Sequence, residues 1–326
     1  MASSLDPNDV RIFSGRSNQP LAADIAAYLS CPLDPARFSR FSNDNLYVQL
    51  GVPVRGRTVF IVQSLIPPVS DNLMELLMML DIARSAAAYE VHAVIPYFSY
   101  ARSDKKDAPR ISITARLVAD LLRTAGATHV MAMTLHSPQV HGFFSMPTDP
   151  LTSRPTFVKY FREQDLSKHD TIVVAPDLGR AKATARFAAE LGLNVATADK
   201  VRISDSEVAI RGLVGQDVFG FRRALIYDDE IATGGSVVEL SKLLVARGIR
   251  EITVICTHGL FSGRAVQRLG DIPEITSIVT TDTVPIPPEK RVPHMTVLSV
   301  APVFGEAIAR NYKRESLSGL FAYAED

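Results

Sequence analysis

The sequence predicts an α/β protein of two similar domains, each a parallel sheet flanked by helices. Three observations carry this reading. Short β-rich runs alternate with longer runs of helical period, the pattern of parallel strands joined by crossover helices that cover both faces of a sheet. The alternation lapses near residue 150 and restarts near 171. The chain has 326 residues, and a prior of about 150 residues per domain then suggests two.

The elements follow in order. "TVFIVQS" (58–64) precedes the helical run "DNLMELLMMLDIARSAAA", and "VHAVIPYF" (91–98) precedes "ISITARLVADLLRTAG". In that second helix Ile113, Leu117, Val118, Leu121 and Leu122 are expected to share one face, with Gly126 ending it. "THVMAMTLH" (128–136) reads as a further strand. Pro and Ser gather in "DPLTSRPT" (149–156), and the boundary is placed there, giving domains 1–153 and 154–326. The pattern resumes with "TIVVAPD" (171–177), a helix through "AKATARFAAELG", then "RRALIYDD", "SVVELSKLLVARG" and "EITVICTHG". The C-terminal "MTVLSVAPVFGEAIARNY" is expected to return to the first domain.

Composition narrows the function classes. Hydrophobic residues make up 47% and charged residues 21%, an ordinary globular mix. Lys plus Arg equals Asp plus Glu at 35 each, so no general field gathers nucleic acid or an anionic membrane. Cys31 and Cys256 are the only cysteines, which excludes a disulfide framework and a thiolate metal cage. The start "MASSLDPNDV" has neither a basic region nor an apolar leader segment. The most apolar helix candidate, "LMELLMMLDIA", is interrupted by Glu75 and Asp81 and is too short to span a bilayer. A soluble cytoplasmic protein is expected, with no nucleic-acid or membrane partner.

The chemistry is densest in "IYDDEIATGGSV" (226–237). Leu225–Tyr227 reads as the end of a strand, and Val237, Leu240, Leu243 and Leu244 mark a following helix. Ser236 and Glu239 have capping-box spacing, so the turn is placed at Glu230–Gly235. Gly234 and Gly235 let backbone N–H groups point inward and the helix N-terminus adds positive potential, together an anion cradle for a phosphate monoester. Asp228 and Asp229 fall at a strand's carboxyl end, where open α/β sheets bind ligands. They could hold two sugar hydroxyls or a Mg²⁺ attached to the sugar. A solvated strand end before a capped helix is the alternative.

This stretch resembles the phosphoribosyl-pyrophosphate binding loop of type I phosphoribosyltransferases and ribose-phosphate pyrophosphokinases. The resemblance implies that Asp228 and Asp229 bind the ribose 2- and 3-hydroxyls, while Ala232, Thr233, Gly234, Gly235 and Ser236 bind the 5-phosphate. The segments "RTVFIVQSLIPPVSDNLMELLMMLDIARSAAA", "AVIPYFSYARSDKK", "ITARLVADLLRTAGATHV", "THGLFSG" and "TDTVP" look like the pyrophosphokinases, from about Phe13 to about Pro285. Ordinary phosphoribosyltransferases lack the whole first domain. The likeness implies transfer of the β,γ-diphosphoryl group of ATP to ribose 5-phosphate, a Mg²⁺ requirement, and a homo-oligomer, hexameric or otherwise built from dimers. The apolar helix 73–80 is a second reason to expect an oligomer.

Further roles follow from the same resemblance. His136 in "TLHSPQV" and Asp177 in "APDLGR" match the segments that coordinate Mg²⁺–ATP. By residue type alone, His136 reads more often as a structural histidine, and Asp177 reads equally as an N-cap. In "YARSDKKDAPR" Arg102 would stack on adenine, with Ser103, Asp107 and Arg110 nearby, although such a charged run is usually a solvated loop. "RFSRFSNDN" supplies Phe41, Asn43 and Asn45, with Phe41 covering the other adenine face from a neighbouring subunit unless it is ordinary core. "ADKVRIS" (198–204) matches the flexible catalytic loop, whose cations become Lys200 and Arg202. The chain departs from the family pattern at Ala232, Thr134, Ser103, Asn45 and at Gly179-Arg180, where Gly-Gly is usual. Arg180 thereby places a cation beside the pyrophosphate loop. A non-catalytic homologue and a true phosphoribosyltransferase are the rival readings.

Overall fold

Apolar runs that are covered on both sides become parallel strands, and that is how the two large sheets of this chain are built, beside a small β2–β3 antiparallel pair. The computed structural model describes residues 5–202 and 208–321. In chain order the elements are β1 (Val10–Ser14), α1 (Gln19–Tyr28), β2 (Ala36–Arg40), β3 (Leu46–Leu50), β4 (Thr58–Val62), α2 (Val69–Ser85), β5 (Glu90–Ile95), α3 (Thr114–Ala125), β6 (His129–Met133) and β7 (Thr148–Leu151). There follow α4 (Arg154–Arg162), β8 (Thr171–Ala175), α5 (Ala181–Leu191), β9 (Asn194–Arg202), β10 (Val208–Gly215), β11 (Arg223–Ile231), α6 (Gly235–Ala246) and β12 (Glu251–Gly259). The last are α7 (Ala265–Gly270), β13 (Ile275–Thr281), β14 (Met295–Leu298) and α8 (Ala301–Lys313). No described helix is long and apolar enough to cross a membrane.

The chain forms two compact units. The first takes the residues up to 153, then 283–285 and 299 onward, and holds a parallel sheet in the order β1-β4-β5-β6-β7. Strand alternation divides its core. Val59 and Ile61 of β4 pack toward α2 and α3. Phe60 and Val62 pack with α1 and α8. The C-terminal stretch is therefore divided, because Met295–Leu298 pairs with β13 in the second sheet while α8 belongs to the first unit.

One helix expectation needs correction. In α3 the buried stripe is Ala115, Val118, Ala119 and Leu122, while Leu117 and Leu121 are 46% and 37% exposed. Small alanines on the inner face let the helix lie close to its neighbours, and the two leucines fall on its flank. Gly126 does end the helix, at φ +115°, where a Cβ would lie 2.5 Å from the Arg84 side chain. In α2, Met74 is 51% exposed, while Leu76, Met79 and Leu80 are buried in the unit's own core. Glu75 is buried beside them and is satisfied locally. Its Oε2 accepts from Arg16 Nε at 2.7 Å, and its Oε1 accepts from the Arg16 amide at 2.6 Å and from Gln63 Nε2 at 3.0 Å.

The second unit comprises 154–282 and 286–298. Its sheet runs β10-β9-β8-β11-β12-β13-β14, with β9–β10 antiparallel and the rest parallel. Phe157 and Phe161 of α4 and Phe187 of α5 cover one face with Tyr227. Val237, Leu240 and Leu244 of α6 cover the other with Ile226 and Val254. From β8 the chain proceeds outward to β9, and from β11 in the opposite direction to β12. The order thus reverses between β8 and β11, and such a reversal opens a crevice beyond the strands' carboxyl ends. β8 and β11 pair only as far as Val174 and Ile226.

One buried titratable group gives the first unit a pH dependence. His92 on β5 is 2% exposed and stacks on Phe60 at 4.4 Å, with the His129 ring 5.2 Å away. Its Nε2 lies 3.2 Å from a Glu90 carboxylate oxygen, and among the described residues Nδ1 has no hydrogen-bond partner. That pattern fits a neutral ring donating through Nε2. Burial, against the pull of Glu90, holds its pKa below the ordinary 6.5. The unfolded chain then binds a proton near pH 6.5 that the folded chain refuses, so stability falls as pH drops through that value. Glu90, His129 and Asp149 are the other titratable groups around the ring. We expect the melting temperature of His92→Phe to decline less between about pH 7 and about pH 5 than that of wild type. Parallel declines would remove His92 as the cause.

Candidate active site

At the β8/β11 reversal, β11 continues past its pairing with β8 and carries Asp228 and Asp229 near its carboxyl end. The strand therefore extends to Ile231, four residues beyond the expected end at Tyr227. The two side chains are only 16% and 6% exposed, so the solvated-end alternative is wrong. The Asp228 carboxylate accepts from the Asp229 amide at 2.8 Å. Burial, and then the charge of Asp229, hold the Asp228 pKa well above the usual carboxylate value, with Arg180 acting in the opposite direction.

The turn after β8 completes this crevice. Asp177 is extended, and its Oδ1 accepts from the Arg180 amide at 3.1 Å, capping the short 3-10 turn Leu178–Arg180. The N-cap reading of Asp177 is thus correct, and it leaves room for a second role of the carboxylate. The Arg180 side chain, 11% exposed, places Nε 3.8 Å from Asp229 Oδ1 and 4.0 Å from Asp228 Oδ1. Burial disfavours its charge, but Asp229 and Asp228 outweigh this and raise its pKa further. Sequence reasoning noted the unusual Arg180 but missed that it reaches the acid pair. The Gly-to-Arg departure was the available signal.

Beyond β11, Ala232, Thr233 and Gly234 make the tight turn into α6. The Ala232 carbonyl accepts from the Ser262 amide at 2.8 Å, tying the turn to the segment after β12. Gly234 sits at φ +75° and is the N-cap, with no side chain among the described residues capping the helix. The expected capping box is absent. Ser236 is already inside the first turn of α6, and Glu239 pairs with Lys242 at 2.8 Å. The first amides of α6 therefore keep their donor capacity facing the end of the strand.

The remaining predicted residues of the first unit lie on three segments. Phe41, Asn43 and Asn45 form the turn between β2 and β3, where the Phe41 amide donates to the Asn45 carbonyl and Asn43 Oδ1 accepts from the Asn45 amide. Phe41 is 56% exposed and meets Tyr47 edge-on at 5.7 Å, so it is not core. Arg102 closes the short 3-10 turn Ser99–Arg102, Asp107 and Arg110 lie on the loop before α3, and all three are exposed. Ser103 has a local task, donating to the Ser112 carbonyl and accepting from the Thr114 amide to fix the start of α3. His136 is half-buried just after β6.

Lys200 and Arg202 are described in backbone only. They belong to β9, opposite Ile210 and Val208 of β10, rather than to an open loop. Residues 203 and 204 of the same segment lie outside the described residues. Pairing with β10 explains the difference, because a hairpin satisfies backbone groups that a loop would leave to water.

With this geometry in hand, comparison with known proteins is decisive. Residues 10–126 match the model of the N-terminal domain of ribose phosphate pyrophosphokinase, and 209–322 match a phosphoribosyl synthetase-associated domain. A ribose-phosphate pyrophosphokinase of Deinococcus radiodurans is 46% identical over 313 residues, 95% of this chain and 97% of that one. The chain belongs to the ribose-phosphate pyrophosphokinase family. A Caldanaerobacter subterraneus pyrophosphokinase is 43% identical over 96% of this chain and 98% of its own. The crystal structure of phosphoribosylpyrophosphate synthetase from Mycobacterium smegmatis superposes with a TM-score of 0.86 at 34% identity, covering 94% of this chain and 99% of that one. The pyrophosphokinase fold agrees with the α/β architecture expected from the sequence.

Two stability measurements test this local account. Gly234→Ala meets no atom nearer than 3.7 Å, so its cost should come from the positive φ, about 1–2 kcal/mol in denaturant unfolding. An unchanged midpoint would show that the turn relaxes. Phe41→Ala should alter stability by less than about 0.5 kcal/mol, and a larger loss would return Phe41 to the core.

Proposed function

We propose that this chain is a ribose-phosphate diphosphokinase that transfers the β,γ-diphosphoryl group of ATP to the 1-hydroxyl of ribose 5-phosphate, giving phosphoribosyl pyrophosphate and AMP. The observation that carries this is the buried Asp228–Asp229 pair beside the Gly234 turn and the uncapped start of α6. Carboxylates accept from two sugar hydroxyls, and the turn from Ala232 through Thr233, Gly234, Gly235 and Ser236, following the acid pair in the chain, offers amides to a phosphate. The C1 oxygen bonds to the β-phosphorus, the bond from that phosphorus to the oxygen of AMP breaks, and the hydroxyl proton is released. Positioning and charge compensation carry the rate, with no covalent intermediate on the protein.

Mg²⁺ fits this reading. Among the described residues no three His, Cys, Asp or Glu side chains could hold a metal by themselves. Mg²⁺ is commonly held by one or two carboxylates together with substrate phosphates, which suits the Asp177 carboxylate at the end of β8. Asp177 and His136 are the proposed protein ligands. When bound, the ion neutralises triphosphate charge. Lys200 and Arg202 stabilise the diphosphoryl group as it transfers. Arg102 and Phe41 stack on adenine, with Asn43, Asn45, Ser103, Asp107 and Arg110 around the nucleotide. The exposed Phe41 supports a homo-oligomer in which it serves a neighbouring copy, and a cytoplasmic setting suits such a metabolic enzyme.

Release of AMP from ATP on addition of ribose 5-phosphate and Mg²⁺ tests the activity, and its absence would favour a non-catalytic homologue. Asp228→Asn with Asp229→Asn should weaken ribose 5-phosphate binding by about 1.5–3 kcal/mol per lost charge-assisted bond in calorimetry. Unchanged affinity would remove the pair from the sugar site. Lys200→Ala and Arg202→Ala should each lower kcat by about a few hundredfold with little change in either KM, since their charges act in the transition state. A kcat within about threefold of wild type for both would refute that role.

A further inference from the structure

Arg180 is built into the acid pair without closing on it. Its Nε is buried and, among the described residues, has no hydrogen-bond partner. The nearest carboxylate oxygens, at 3.8 and 4.0 Å, lie beyond hydrogen-bond range. A buried charged donor left open in this way is costly unless a further group completes it. One oxygen about 2.8 Å from each of two partners can sit between atoms 3.8–4.0 Å apart. That oxygen must accept from Nε–H and donate to a carboxylate. A phosphate oxygen cannot donate, and an ammonium cannot accept. A sugar hydroxyl does both, as does water, and the test below separates the two.

We propose that Arg180 is a third sugar-contacting residue, its Nε–H donating to one hydroxyl of the ribose diol whose proton goes to Asp228 or Asp229. This rests on the proposed function, in which the acid pair is the sugar site. Arg180 then sets a specificity that the acid pair alone does not. The bridged hydroxyl must be present, because without it the buried Arg180 Nε–H is left without an acceptor. The same cation offsets part of the pair's charge.

The test is calorimetric titration of ribose 5-phosphate and its 2-deoxy and 3-deoxy analogues into wild type, Arg180→Gln and Arg180→Lys, with thermal melts as folding control. Arg180→Gln should bind ribose 5-phosphate about ten- to a hundredfold more weakly. It should lose almost nothing further for whichever analogue lacks the bridging hydroxyl. If the Gln variant does not fold, Arg180→Lys, which keeps the charge but alters the donor geometry, should show the same dependence on that hydroxyl. Equal losses for all three ligands would reveal a general charge effect and overturn the proposal. No loss for any would mean that only water occupies the gap, and would overturn it equally. An Asp228→Asn, Asp229→Asn arm separates the two ideas. If that variant keeps full affinity the sugar site itself is misplaced, whereas if it loses affinity while the Arg180 variants do not, only the role of Arg180 fails.

Discussion

Two carboxylates side by side at the end of a buried strand set a charge problem, and much of the second unit is arranged around it. Asp228 and Asp229 are almost out of water, and each raises the cost of ionising the other. Three features ease this. The Asp229 amide donates to Asp228, the Arg180 guanidinium stands opposite both, and the start of α6 lies just beyond with its amides uncapped. Burial and the neighbouring charge still hold the Asp228 pKa above the usual carboxylate value, and Arg180 and the Asp229 amide act in the opposite direction.

Sheet topology supplies the space. The strands of the second sheet turn outward in opposite directions from β8 and β11, so the loops after these two strands diverge. Asp177 and Arg180 come from one loop, and the acid pair and Gly234 from the other strand end. The first sheet runs β1-β4-β5-β6-β7 with no such reversal. Its candidate residues sit instead on a projecting hairpin, on the loop before α3 and after β6. Within one protein, then, the same layered architecture presents functional groups in two different ways.

Much of this was legible in the chain. Alternating apolar runs identified the parallel strands, since burial on both faces leaves little choice of residue. Gly126 stopped α3 as expected because its φ of +115° excludes a side chain. The Asp228–Asp229 and Gly234–Gly235 stretch carried its chemistry openly, for glycine and acid at a strand end have few other uses together. What the pattern hid was direction and pairing. Leu117 and Leu121 look like core by composition, yet the small Ala115 and Ala119 take the inner face. Ser236 and Glu239 have the spacing of a capping box, but the helix starts two residues too early for it.

The sequence by itself determined the family and the layered α/β class and singled out the candidate residues, because those follow from local periodicity and from motifs a few residues long. Only the tertiary structure decided that Phe41 is exposed, that Lys200 and Arg202 begin within a paired strand, and that Arg180 meets two acids nearly fifty residues away. These are long-range facts. Exposure depends on what other segments cover, hairpin pairing on the register of a second strand, and an ion pair on where two loops converge. A sequence holds the groups, but their distances arise only when the sheet is assembled.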